Sequence, residues 1–562
     1  MRRYAATFDA GTTAVKGALV DEDGRVVASA SGGLDLIVDG DAREQDPDQW
    51  WRAFRDVARA MLHDAAQADQ DFRIDRIRGI ICSGQMQDVI ALDDDLRPVR
   101  TAILYSDGRA DEQALRLARV LGDGCARGDT CASGDVRTYD DDVRTDDGRD
   151  RNGSDGRYAG DGRDGSRDRG HADTDGDAAT IHPSAEARPA GTVPSDIIGT
   201  QRFLATVGNR LEGCLPLPKL MWMRDNEPDT FARVRHVLIS SKDYLIARLA
   251  GVTIGDVAAC STAGAMNIRT GRWDAGLCAA VGIDMTILPE LHRPQDIVGS
   301  VTVAAAEEIG FAAGTPVYAG IGDAGATTLA SGVGRPGQYN INLGTSGWIA
   351  TVSNEPFVDK PGAANLAFGV VDGFVNAVPF LNAGDVHRWA TGLFAGGDYD
   401  RAHDLIESSE PGANGVLCLP YLVGERFPVM NPAVRGAFVG LSPATSAADM
   451  LRAALEGVAF SIRQGMESFD VPPTSISLIG GGARETAWCR ILAAMLHHPV
   501  EVFANADILP AVALASLVFD RPDLVAAVAD TTTYEPDPAA AHAYDALYPR
   551  FAALYPAIAQ LR

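Results

Sequence analysis

The feature that most restricts this chain is a turn chemistry that occurs twice. Near the N-terminus, Tyr4 to Phe8 and Ala14 to Val20 read as strands joined through Asp9-Ala10-Gly11-Thr12-Thr13. Far downstream, Gln338 to Leu343 and Trp348 to Val352 read as strands joined through Gly344-Thr345-Ser346-Gly347. In each turn glycine lets a ligand approach the backbone closely, Thr or Ser supplies hydroxyls, and consecutive amides form a nest for an anion. Either turn alone is equally a plain tight turn. Asp9 changes the balance, because a carboxylate at a strand end beside such a turn can hold Mg²⁺ directly or through water, and Lys16 follows on the next strand. Two halves built on one theme are expected, as a duplication of motif and not of sequence identity.

Further elements fill in around these turns. Arg25 to Ala30 reads as a third strand after the hairpin turn Asp21-Glu22-Asp23-Gly24. Asp46 as N-cap, Pro47 at the first helical position and Trp50, Trp51, Phe54, Val57 and Met61 at helical spacing predict a helix. The apolar run Gly79 to Cys82 leads into Ser83-Gly84-Gln85-Met86-Gln87, with another strand at Val89 to Leu92. Ser241 to Leu249 reads as a helix closed by Gly251.

Two more glycine segments carry chemistry. Gly320-Ile321-Gly322-Asp323-Ala324-Gly325 follows an apolar strand, and Asp323 stands where a helix begins. A carboxylate there is either a helix cap or the group that accepts a proton from a hydroxyl undergoing phosphorylation. Leu478-Ile479-Gly480-Gly481-Gly482-Ala483 is a strand running into a glycine turn, against which a flat base could lie.

The 562 residues are enough for more than one domain. A net charge of -26 argues against nucleic acid or an anionic membrane as partner. Eight scattered cysteines without a CxxC pair, no signal-peptide pattern and no long apolar run predict a cytoplasmic protein without disulfides or zinc. Between about 122 and 195 the character changes. From Gly134 to Asp177 the chain is almost entirely polar, dominated by Asp, Arg and Gly, and is expected to be a disordered insertion.

Here the pieces resemble the FGGY carbohydrate kinases, a branch of the actin-like ATPases. Lys219-Leu220-Met221-Trp222-Met223-Arg224-Asp225-Asn226 is similar to one signature of that family, with Cys214 departing from the usual set at its opening position. Gly436-Ala437-Phe438-Val439-Gly440-Leu441, with Asp449-Met450 and Ala453-Ala454-Leu455-Glu456 at the proper spacing, is similar to the second. The resemblance implies an α/β fold of two ribonuclease-H-like domains with a cleft between them, ATP and Mg²⁺ as cofactors, and a small sugar or polyol as substrate. By that resemblance Asp9 is the metal-associated residue, and Gly11, Thr12, Thr13 and Lys16 serve the phosphates. Gly344, Thr345 and Ser346 form a second phosphate loop, while Gly481, Gly482 and Ala483 belong to the adenosine pocket. Asp323 is the catalytic base, and Gln85, Met86, Gln87 and Asp107 face the acceptor with it. The expected division is an N-terminal domain over 1–256, carrying the insertion, and a C-terminal domain over 257–562. A homodimer is compatible with this reading.

Ser83-Gly84-Gln85-Met86-Gln87 and Tyr105-Ser106-Asp107-Gly108-Arg109 resemble the pentulose-kinase motifs, with Gln87 where that motif has His and Tyr105-Ser106 where Trp-Asn is usual. A ketopentose such as D-xylulose therefore ranks first, gluconate or another sugar acid or polyol second, and glycerol last. Two non-kinase readings stay open, an actin- or chaperone-like ATPase and an inactive sugar sensor. A dinucleotide-binding dehydrogenase is disfavoured, because Gly11 leads into Thr-Thr and another strand, not into a helix.

Overall fold

A computed structural model describes residues 2–126, 194–360 and 362–560. The stretch from Gly134 to Asp177, expected to be disordered, lies outside the described residues.

Strands β1 (Tyr4–Ala10), β2 (Ala14–Asp21), β3 (Val26–Gly33), β4 (Ile77–Gly84), β5 (Ile297–Ser300), β6 (Pro316–Tyr318) and β7 (Ile321–Gly322) form one sheet. Its order is β5-β6-β4-β1-β2-β3, with β7 also paired to β4. β1 runs antiparallel to β2 and parallel to β4. A second sheet contains β8 (Gln338–Leu343), β9 (Gly347–Ser353), β10 (Ala364–Ala367), β11 (Phe374–Phe380), β12 (Ser475–Ile479), β13 (Val500–Phe503) and β14 (Thr531–Tyr534), in the order β10-β11-β9-β8-β12-β13-β14. There β8 runs antiparallel to β9 and parallel to β12. The centres of the two sheets thus repeat one arrangement, as the paired turns led us to expect.

Local chemistry explains the elements. β1 is covered on both faces, so its residues are buried apart from half-buried Asp9, and it reads as a continuous apolar run without alternation. The helix Pro47–Ala68 starts on Asp46, whose side chain accepts from the Asp48 N–H, and it lays Trp50, Trp51, Phe54, Val57 and Met61 on the first sheet. Gly251 ends the Ser241–Ala250 helix with φ 71°, a left-handed cap conformation that glycine adopts without a steric penalty. Among the described residues no helix is long and apolar enough to cross a membrane.

The helix Leu509–Phe519 joins the halves. Leu509, Val512 and Ala513 pack with Ala5 and Val20 of the first sheet. Leu514 enters a cluster holding Ile81 and Ile321 of the first sheet and Val352 and Val375 of the second.

The expected boundary after residue 256 would cut the first sheet. β5, β6 and β7, all beyond it, hydrogen-bond to β4 or to one another within that sheet. The first unit therefore runs to about residue 330 and takes Asp323 with it. The reason is a long-range pairing: β4 ends at Gly84 and β6 begins at Pro316, and nothing local in β6 names its partner.

Candidate active site

In α/β sheets ligands gather beyond the carboxyl ends of the strands. In the first sheet those ends belong to β1, β4 and β7. Asp9 is opposite Ser83 in the parallel register of β1 and β4, and Ile321 is opposite Ser83 in that of β7 and β4. Asp9 and Asp323 therefore flank the end of one strand, roughly two strand spacings or 10 Å apart at the backbone. Between β6 and β7 the chain bends at Gly320, φ 68°, where any Cβ would collide with the Cys82 carbonyl.

Asp323 opens the helix Asp323–Ala330, at its first helical position and not as its cap. Asp323 is exposed to solvent, with protein crowded around it. That crowding pushes its pKa up to about 7, the negative charge of Asp9 adds to the rise, and a hydrogen bond from the Ala324 N–H opposes it. Oδ1 of Asp9 accepts from the Ser83 hydroxyl at 2.8 Å. Lys16 is exposed and stands directly opposite Asp9 in the antiparallel register of β1 and β2.

The turn Gly11–Thr13 is braced by a buried amide chain. Thr12 Oγ1 donates to Gln85 Oε1 at 2.8 Å, Gln85 Nε2 donates to Gln45 Oε1 at 3.0 Å, and Gln45 Nε2 donates to the Thr12 carbonyl at 2.7 Å. Gln85 is 1% exposed, so its amide positions the turn. Met86 and Gln87 are half-buried. Met86 packs on Gly322, the residue before Asp323, so closely that a Cβ there would collide with its sulfur.

The second sheet repeats the pattern. Gly344–Ser346 follow β8, with Thr345 and Ser346 exposed. The Gly384 and Asp385 amides donate to the Gly344 and Thr345 carbonyls at 2.8 and 3.1 Å, which fixes the turn to the start of the helix Gly384–Phe394. Beside it, after β12, Gly480 takes φ 94° against Leu343. Gly482 is buried on Leu343 and Trp488, and Ala483 is buried too, while Gly481 is exposed and a Cβ there would meet nothing within 4 Å. The glycine turn and the Thr/Ser turn thus form one continuous surface.

Asp107 is placed differently from the expectation. Its carboxylate is fully buried and occupied by donors of this chain: Arg43 N at 2.7 Å, Arg109 N at 3.1 Å, and the Arg109 guanidinium at 2.6 and 2.8 Å. As placed, it ties Arg109 to the Arg43 backbone and leaves no oxygen turned to a ligand. A polar residue at motif spacing does not reveal which way its carboxylate faces.

Sequence reasoning missed two buried cation sites. Lys242 is fully buried, pairs with Asp256 at 2.8 Å and with Asp243, and donates to the Ala319 carbonyl at 3.1 Å beneath the bend before Asp323. Asp256 adds to the rise at Asp323. Lys219 is fully buried and ties two loops together. The available signal at Lys219 was a lysine amid apolar residues on a short helix, whereas Lys242 had its partner Asp243 as the next residue.

The second signature proves architectural. Asp449 and Ser446 form a capping box, with Ser409 and Asn414 also donating to Asp449. Glu456, buried, accepts from the Gly412 N–H, Arg452 and Tyr544.

Comparison with known proteins gives the family. The N-terminal domain of the FGGY family of carbohydrate kinases matches residues 4–125 and 195–330, and the C-terminal domain matches 339–515. The chain is 28% identical over 522 residues to the xylulose kinase of Escherichia coli (strain K12), covering 91% of this chain and 88% of that protein. It is 26% identical over 519 residues to the gluconokinase of Bacillus subtilis (strain 168), with coverage of 89% and 84%. The crystal structure of xylulose kinase from Rhodospirillum rubrum superposes with a TM-score of 0.77 at 26% identity, covering 100% of this chain and 99% of that one. This chain belongs to the FGGY family of carbohydrate kinases and is an ATP-dependent sugar kinase.

Proposed function

We propose that the chain transfers the γ-phosphoryl group of ATP to a hydroxyl of D-xylulose or a closely similar ketopentose. The observation that carries this reading is the contact of Met86 with Gly322, which sets the Met86–Gln87 loop against the residue that precedes Asp323. In this reading the acceptor hydroxyl lies between the Gln87 amide and Asp323. The Asp323 carboxylate takes the hydroxyl proton as the oxygen bonds to the γ-phosphorus and the bond to the departing ADP oxygen breaks. A base whose pKa is about 7 combines an ionised fraction near neutrality with enough basicity to take that proton.

The remaining work is positioning and charge. Gly11, Thr12 and Thr13, with Lys16 nearby, and Gly344, Thr345 and Ser346 offer donors to the phosphate oxygens. Gly481 offers an open backbone to the adenine, with Gly482 and Ala483 buried behind it. The donor set at Asp9 fits Mg²⁺. One oxygen is engaged by Ser83, and Gly11 leaves the approach to Oδ2 free of a side chain. Among the described residues no group of three or more His, Cys, Asp or Glu could hold a metal, which suits an ion that takes one or two carboxylates and completes its shell with phosphate oxygens and water. Bound there, it would neutralise charge on the β- and γ-phosphates.

Gluconate is the second reading, supported by Gln87, whose neutral amide can donate to a sugar carboxylate, and by the B. subtilis gluconokinase relative. A coupled ADP-release assay over D-xylulose, D-ribulose, D-gluconate and glycerol tests the choice. The highest kcat/KM is expected with D-xylulose. A higher value with D-gluconate would move the acceptor to sugar acids, and sugar-independent ADP release alone would contradict the kinase reading.

A further inference from the structure

The acceptor loop carries a conformation that its sequence does not favour. Gln87 has φ 65°, in the left-handed region that a side-chain-bearing residue keeps only when its surroundings hold it. The hold comes from the helix Pro216–Asn226. Lys219, in its first turn and 0% exposed, donates from Nζ to the Gln87 carbonyl at 3.0 Å and to the Leu104 carbonyl at 2.7 Å. One ammonium with three donors can serve two carbonyls from separate segments.

The neighbouring residues complete the arrangement. Asp88, also buried, accepts from the Tyr105 N–H at 3.1 Å, so the residues after Gln87 and after Leu104 are tied to each other. Three residues along the helix from Lys219, Trp222 carries the Arg109 guanidinium 4.7 Å above its ring, and Arg109 holds Asp107. Burial brings Lys219 down to about 8 and lifts Asp88 well above the usual carboxylate range, with each acting on the other.

We propose that Lys219 is a positioning residue for the phosphoryl acceptor, fixing the backbone of Gln87 and the start of the Tyr105 segment so that Met86 and Gln87 meet the sugar beside Asp323. The proposal rests on reading the Met86–Gln87 loop as the acceptor site. It gives the signature lysine a task that neither the phosphate turns nor the base performs.

The test compares wild type with Lys219→Met in steady state, using whichever of D-xylulose and D-gluconate the wild type phosphorylates. A displaced acceptor loop should raise KM for the sugar about 10-fold or more while KM for ATP stays within about twofold and kcat falls less than the sugar KM rises. Thermal melts establish that the variant folds. If Lys219→Met shows no cooperative melt, Lys219→Gln, which keeps a shorter donor, is measured by the same criteria. Unchanged sugar KM, or sugar and ATP KM rising together, would overturn the proposal and make Lys219 a general anchor of the fold. Turnover of neither sugar by the wild type would overturn the acceptor reading, and this proposal with it.

Discussion

Asp9 and Asp323 stand on either side of Ser83 at the carboxyl end of β4, and the charge of Asp9 raises the pKa of Asp323. Two carboxylates so placed differ in their surroundings. Asp9 is hydrogen-bonded by Ser83 beside the Gly11–Thr13 turn, whereas burial and like charge raise the pKa of Asp323.

A pH dependence follows for the rate. With Asp323 at about 7, kcat/KM for the sugar at saturating ATP should fall about tenfold per pH unit below about 6.5 and level off above about 8. A profile flat from pH 5.5 to 8 would remove Asp323 as the base.

The same shift has a stability consequence of opposite sign. The folded-state pKa of Asp323 is raised above the unfolded value of 3.8 to about 7. Its contribution is fully present below about pH 4 and is lost as pH rises through about 7, because ionisation is then harder in the folded chain. Asp323→Asn should therefore raise Tm at pH 8 and change it little at pH 4.5. Calorimetry at the two pH values checks this, and equal shifts at both would contradict it.

How much of this could be read from the sequence depends on how local the cause is. The turns at Gly11–Thr13 and Gly344–Ser346, the Asp46 cap and the Gly251 stop are set by backbone conformation within a few residues, so residue type suffices. The pairing of β6 with β4 is not local, so a division drawn from residue type after residue 256 leaves β6 with the second half. Asp107 and Lys219 show a second limit. Their residue types were visible, but whether a charge turns outward to a ligand or inward to Arg109 or the Gln87 carbonyl depends on which segments pack around it.

The glycine turn after β12 places a tightly packed glycine beside an open one within two adjacent residues. A Cβ on Gly482 would lie 2.7 Å from Leu343 Cβ and 2.9 Å from Trp488, whereas one on Gly481 meets nothing within 4 Å. Gly482→Ala should lower stability by about 1–3 kcal/mol, as overpacking does. Gly481→Val should melt like wild type yet raise KM for ATP about tenfold or more, by filling the surface proposed for adenine. Paired melts and ATP titrations distinguish the two, and an unchanged ATP KM in Gly481→Val would move the adenine elsewhere.

Glu456 provides a control outside the chemistry. It is buried and accepts from Arg452 Nε at 2.7 Å and Tyr544 OH at 3.1 Å. Glu456→Ala leaves the Arg452 charge buried without its carboxylate and should destabilise the fold by about 3–5 kcal/mol. Denaturant melts should show that loss, while kcat per folded molecule at low temperature stays near wild type. A kcat loss without destabilisation would place Glu456 in the reaction.

The most direct measurement is sugar-dependent ADP release by Asp323→Asn, set beside wild type with D-xylulose as acceptor. Loss of about 10²–10⁴ in kcat, with cooperative melting and ATP affinity retained, is the predicted result. Near wild-type kcat in that variant would contradict the assignment of Asp323 as the base.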